Sequence, residues 1–199
     1  MVQVSSTGKN TKTSRCRKTR RRILDAAEAE FCEKGFHDGS ISGITQRAGV
    51  ALGTFYTYFD SKEEIFQALV TYMSRRIREW IGERVVDATD RMTAERLGIE
   101  AYIEFARQHK GINRIISEAE FVATDAYRDH YEGFARAYRH NLEKAARKGE
   151  LRPGDYEAWA WAIMGIVVFL GMRFVIMDES KSPSEVADIM TDLIANGIK

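Results

Sequence analysis

Ser40, Ser42, Leu52, Gly53, Thr54, Tyr56, Thr57, Tyr58 and Lys62 crowd into one stretch, SISGITQRAGVALGTFYTYFDSK. Hydroxyls and an ammonium donate hydrogen bonds to phosphate oxygens, and a residue without a side chain lets a backbone come close to a duplex. Thr54 can donate to a phosphate or meet a thymine methyl. Tyr56 and Tyr58 end in hydroxyls that reach phosphates, with Thr57 pointing outward between them. Phe55 and Phe59, four apart, should face a core. Ser40 and Ser42 can hold the backbone across the groove, and Lys62 adds a cation. Each residue alone has an ordinary reading: a packed tyrosine, a solvated lysine, a glycine that costs its helix about 1 kcal/mol. Their co-occurrence on one short helix, after a glycine turn and beside a basic segment, points to nucleic acid.

The charge distribution agrees. The chain has 199 residues and a net charge of +1, but residues 1–62 hold 11 Lys+Arg against 6 Asp+Glu, and the rest holds 19 against 23. Only the first third suits a polyanion. Eight basic residues lie between Lys9 and Arg22, Arg20 and Arg22 among them. They could track phosphates or enter a minor groove.

Enzymatic chemistry finds little support. His37, His109, His130 and His140 lack metal-ligand spacing, and no HExxH, CxxC, GxSxG or Gly-rich phosphate loop occurs. Asp125, Asp129, His130 and Glu132 share one helix and read as a solvated face rather than a metal site. Cys16 and Cys32 are too few for a disulfide framework, so a reduced, cytoplasmic protein is expected. No cofactor is implied.

These groups need elements to position them. Residues 1–16 carry no hydrophobic period and read as a basic, disordered arm. Ile23, Leu24, Ala27 and Phe31 mark one face of a first helix, which Gly35 should stop. Ser40 caps a second helix to about residue 48. Gly49 makes the turn, and a third helix covers 52–59, so a helix-turn-helix spans 40–59. Ser61-x-x-Glu64 is a capping box opening a long fourth helix. No strand alternation or repeat appears, and the expected fold is all-α with about nine helices: an N-terminal helix-turn-helix domain, 17–77, then an effector-binding and dimerisation bundle, 78–199.

The bundle is rich in aromatic residues. Tyr102, Phe105, Phe121, Tyr127, Tyr131, Phe134, Trp159 and Phe169 could wall a pocket or fill a core. Arg173 stands in an otherwise apolar run, 158–177, and is the candidate for an acidic head group. That run is long enough to raise a membrane span, but its acidic flanks and internal Arg173 favour a buried interface. Ala162, Gly165, Ile166 and Phe169, with Val186, Ile189, Met190 and Leu193 from the last helix, are expected to form a four-helix dimer contact.

Ala48-Gly49-Val50, Gly53-Thr54-Phe55-Tyr56, Tyr58-Phe59, Ser61-Lys62-Glu63, Ile23-Leu24-Asp25-Ala26-Ala27 and Phe31-x-x-x-Gly35-Phe36 together resemble the DNA-binding domain of the TetR/AcrR family of bacterial regulators. The chain departs from the family pattern at Ala51, where Ser or Thr is usual, and at Thr45 and Leu52. The resemblance implies a homodimer on a palindromic operator in double-stranded DNA, released by a small effector; in some relatives this is an acyl- or aryl-CoA ester. A rival reading is a small-molecule-binding or enzymatic bundle with a vestigial DNA-binding domain. Salt-sensitive duplex binding separates the two.

Overall fold

The structure, a computed structural model, describes residues 7–198. Among the described residues nine α-helices run in order: α1 Thr7–Asp38, α2 Ile41–Ala48, α3 Leu52–Phe55, α4 Lys62–Val85, α5 Arg91–Gln108, α6 Ile112–Val122, α7 Thr124–Arg147, α8 Tyr156–Gly171 and α9 Pro183–Asn196. A π-helical turn, Met172–Met177, prolongs α8.

The arm reading meets a correction. Residues 1–6 lie outside the described part, but from Thr7 the chain is helical and continuous with α1. Lys and Arg have long unbranched stems that lose little rotamer freedom in a helix, and no proline interrupts them. Gly35 sits at φ +79°, a conformation that breaks α1 near its end as expected of a stop signal. α3 is also shorter than expected. Four residues are α-helical, and the chain then tightens into i→i−3 bonds, Thr57 N–H to Thr54 O and Tyr58 N–H to Phe55 O. Its N-cap, Ala51, offers no side-chain acceptor, and Gly53 is a weak helix former.

Packing explains how so short a helix is held. Ile23, Leu24, Phe31, Ile44, Phe55, Phe59, Ile65, Phe66 and Leu69 are buried in one core. Phe31, Phe36 and Phe66 meet at ring separations of 4.9–5.9 Å. This core continues into Ile112, Ile115 and Ala119 of α6, so packing is unbroken across residue 77. A second core lies where α5 meets α9: Ile99, Ile103, Ala106, Val186, Ala187 and Met190. Trp80 ties α4 to α5 by donating from Nε1 to the Ala101 carbonyl at 3.0 Å.

Tyr156–Met177 is long and apolar enough to cross a membrane by length and composition, with a mean hydropathy of 2.1. Only 28% of that window is buried within the chain. One of its faces packs on α5 and α7, and the other is bare.

Candidate nucleic-acid interface and ligand cavity

Two turns set the recognition unit. Ser40 Oγ accepts from Gly43 N–H at 3.0 Å and caps α2. Gly49, at φ +60°, takes the left-handed conformation that swings the chain into α3. Arg22 donates to the Gly49 carbonyl at 3.3 Å, and the Arg20 guanidinium lies 5.1 Å from the Phe59 ring centre. The basic end of α1 is thus fastened beside the turn. Phe55 and Phe59 point into the core, which rolls Leu52, Gly53 and Tyr56 out to solvent. Leu52 and Tyr56 are 50% and 49% exposed, and nothing lies within 4 Å of where a Cβ on Gly53 would stand. Ser42 and Thr57 are exposed on the same unit and Thr54 is half-buried.

Two residues sit differently from the sequence expectation. Lys62 spends its ammonium on the carbonyls of Phe36, His37 and Gly39, at 2.9, 3.0 and 3.1 Å, and lies over the Phe36 ring. An ammonium has three donors, so this one caps the end of α1 instead of reaching phosphate. Tyr58 is half-buried, its hydroxyl beside Cys16 and Thr19 of α1, and its phenol pKa is raised there. It braces α3 against α1.

Beneath α2 the carboxylate of Glu30 is fully buried. It accepts from Lys34 Nζ at 2.9 Å, Arg47 Nε at 2.8 Å and Ser40 N–H at 3.3 Å. Burial pushes its pKa up, but these donors outweigh burial and hold it below the usual value of 4.5. A depressed folded pKa stabilises the protein above the unfolded value, and the gain is lost as pH falls through the folded one. Glu30→Gln is expected to cost about 2 kcal/mol at pH 7. The gap between variant and wild type should narrow in melts repeated stepwise below pH 4.5. A gap independent of pH would refute the assignment.

The bundle encloses a cavity of about 320 Å³ between α4, α5, α6, α7 and α8. Tyr102, Phe105, Tyr131 and Phe134 line it. Other aromatic candidates do not. Phe121 is 85% exposed and, with Tyr127, belongs to a shallow outer groove. Trp159 packs on the loop at Gly154 beneath Arg152. Phe169 faces solvent. Arg173 is exposed and paired with Asp178 at 3.0 Å. The reason is the rotation of α8: Met164, Val167, Val168 and Met172 turn into the cavity, which places 169 and 173 on the outer side.

The cavity's charged groups escaped the sequence reading. Arg91 and the buried Glu95 form an ion pair, and Tyr138 donates its hydroxyl to Glu95. Burial, with Glu95 adjacent, raises the Tyr138 phenol well above its ordinary pKa. His130, expected on a solvated face, turns inward and bonds Ser74 Oγ at 2.6 Å. Burial, helped by the Arg78 charge, pushes its pKa down to about 4, so the ring is neutral. The signal was faint: Arg91 and Glu95 have the spacing of any surface i, i+4 pair, and Arg78 lies one position off an apolar stripe. Cys32 is half-buried against Gly111, and desolvation lifts its thiol to about 11, which leaves it no thiolate character. No group of His, Cys, Asp and Glu suited to a metal occurs among the described residues.

The dimer candidates divide similarly. Val186 and Met190 are consumed by the chain's own core against α5, contrary to the expectation that they face a partner. Ala162, Phe169 and Ile189 are exposed, while Gly165, Ile166 and Leu193 are half-buried.

A capped helix, a left-handed glycine turn and a short helix with an outward face of Leu, Gly and Tyr, joined to a hollow helical bundle, define a helix-turn-helix DNA-binding protein. Comparisons agree. The pattern for bacterial regulatory proteins of the tetR family matches residues 23–69. The HTH-type transcriptional regulator YvdT of Bacillus subtilis (strain 168) is 31% identical over 170 residues, 83% of this chain and 87% of the relative. The chain belongs to the tetR family and is a DNA-binding transcriptional regulator, not an enzyme. Its fold is shared with the fatty acid degradation regulator FadR of Bacillus halodurans (TM-score 0.80, 21% identity, covering 91% of this chain and 96% of that one). It is also shared with FadR of Bacillus subtilis in complex with stearoyl-CoA (TM-score 0.78, 21% identity, covering 90% and 99%).

Proposed function

We propose that the protein is a homodimeric repressor that leaves its operator when an acyl- or aryl-bearing effector fills the bundle cavity. The carrying observation is that one mainly apolar, partly open cavity touches both α4 and α6, the helices that support the recognition unit. α4 contributes Ile77, Arg78, Ile81 and Val85 to the wall. α6 contributes Ile112, Asn113, Ile116 and Ser117, while its other side grips the end of α1. There Arg114 donates to the Glu33 and Lys34 carbonyls at 3.3 and 3.0 Å, and the Glu118 carboxylate accepts from Phe36 N–H at 2.6 Å. A ligand that spreads α4 and α6 pulls on α1 and shifts the two recognition helices from their spacing of about 34 Å.

Leu52, Gly53, Thr54, Tyr56 and Thr57 form the face offered to the major groove, with Ser40, Ser42, Arg20 and Arg22 on the flanking phosphates. Tyr58 and Lys62 support that face from behind. A second copy, not a bilayer, covers the bare side of α8, since its opposite side lines the cavity. The stearoyl-CoA held by the B. subtilis FadR supports an acyl effector in this fold.

The test is fluorescence anisotropy of the full chain with duplexes from the promoter of its own gene and neighbouring genes, across a salt series, with and without added acyl and aryl acids and their CoA thioesters. Binding should be sequence-dependent, fall steeply with salt and weaken with effector. Duplex binding indifferent to every acyl or aryl compound would leave a regulator without an effector and refute the cavity's role.

A further inference from the structure

We propose that the cavity reads an acidic head group through Arg78, so that the effector is an amphiphilic free acid whose carboxylate lies inside the bundle. The inference rests on the cavity being the effector site, and it selects the free acid over its thioester.

Two arginines line the cavity. Arg91 is neutralised: Glu95 pairs with it, Tyr138 donates to the same carboxylate, and the guanidinium lies 5.2 Å from the Tyr138 ring centre. Arg78 has no such partner; no carboxylate pairs with it among the described residues. The guanidinium lies 5.4 Å from the Phe134 ring centre, and a Cβ on Gly133 would come within 3.4 Å of one of its nitrogens, so the glycine leaves it room. An aromatic face compensates a half-buried cation only in part.

His130 adds no negative charge. Ser74 directs its single hydrogen to the Val70 carbonyl at 2.7 Å, so His130 Nδ1–H donates to Ser74 Oγ and the ring stays neutral. Burial, with the Arg78 charge beside it, holds this imidazole at a pKa of about 4. Tyr102 is held protonated by burial, its pKa raised to about 12, so it too brings no charge. The missing anion is therefore supplied from outside the chain. A carboxylate satisfies a guanidinium with two parallel bonds, whereas a thioester carbonyl brings no charge. Because Arg78 stands on α4, pairing it with a ligand acts on the helix that runs into the DNA-binding unit.

Isothermal titration of the full chain with dodecanoate, methyl dodecanoate and dodecanoyl-CoA tests this. Dodecanoate should bind at least about tenfold tighter than its methyl ester. Arg78→Gln should weaken dodecanoate by about tenfold to a hundredfold and change the ester by less than about twofold, with the melting temperature as a check of folding. Arg78→Lys, which keeps the charge, should restore part of the preference. Equal affinity for acid and ester, or binding of dodecanoyl-CoA alone, overturns the head-group assignment and leaves the cavity as effector site. Failure of all three probes to bind overturns both.

Discussion

Replacing Gly53 with alanine should strengthen the fold and weaken operator binding in the same protein. A Cβ at this position meets nothing within 4 Å, and the backbone is ordinary α3 helix. In the free protein the substitution removes only the conformational freedom of glycine, a gain of roughly 0.5–1 kcal/mol and about 1–4 °C in melting temperature. With α3 in the groove, as proposed, the same Cβ would stand between its backbone and the duplex. Gly53→Glu enlarges the effect, since a carboxylate is brought against phosphates; operator affinity should fall by at least about a hundredfold. The opposite signs matter, because loss of binding through unfolding would lower the melting temperature. Thermal melts and anisotropy on one set of preparations measure both. If the glutamate variant binds DNA like wild type, α3 does not enter the groove.

How much of this was written in the chain varies by region. The recognition unit was legible because its constraints are local: Gly49 must take a left-handed conformation, Ser40 must cap, and Phe55 and Phe59 share one face. The misreadings there concern long side chains. Lys62 has the reach to touch phosphate or to fold back on α1, and only the position of the Phe36, His37 and Gly39 carbonyls decides. Tyr58 posed the same choice, and the structure packs it half-buried against the core.

In the bundle the apolar periods revealed helices but not their partners. Val186 and Met190 were correctly apolar, yet α5 supplies Ile99 and Ile103 to cover them, a pairing between segments far apart in sequence. Arg173 looked buried because its run is apolar. One face of that run is bare, and Asp178, five residues on, satisfies the charge at the surface. Arg78 and His130 were passed over for the converse reason, since polar neighbours in sequence hid their inward direction.

That bare face yields the second large effect. Trp161, Phe169 and Ile176 recur at helical spacing along α8 and its π-helical extension, and all are exposed in the single chain. Phe169 is 68% exposed. Covering such a ring is worth roughly 1.5–3 kcal/mol, and in a two-fold symmetric contact each residue counts twice. Phe169→Glu forfeits that gain and adds two unpaired charges to a desolvated contact. The dimer should weaken by on the order of 5 kcal/mol or more, a factor of several thousand in its dissociation constant. Sedimentation should then show a 22.7 kDa monomer. Operator affinity should collapse with it, because one recognition unit cannot span two half-sites. Met190→Ala supplies the contrast. That side chain is fully buried inside the chain, so its loss should cost about 2–5 kcal/mol of folding stability and leave the stoichiometry unchanged. A Phe169→Glu protein that remains dimeric would place the partner on another surface and leave the apolar row on α8 without a cover.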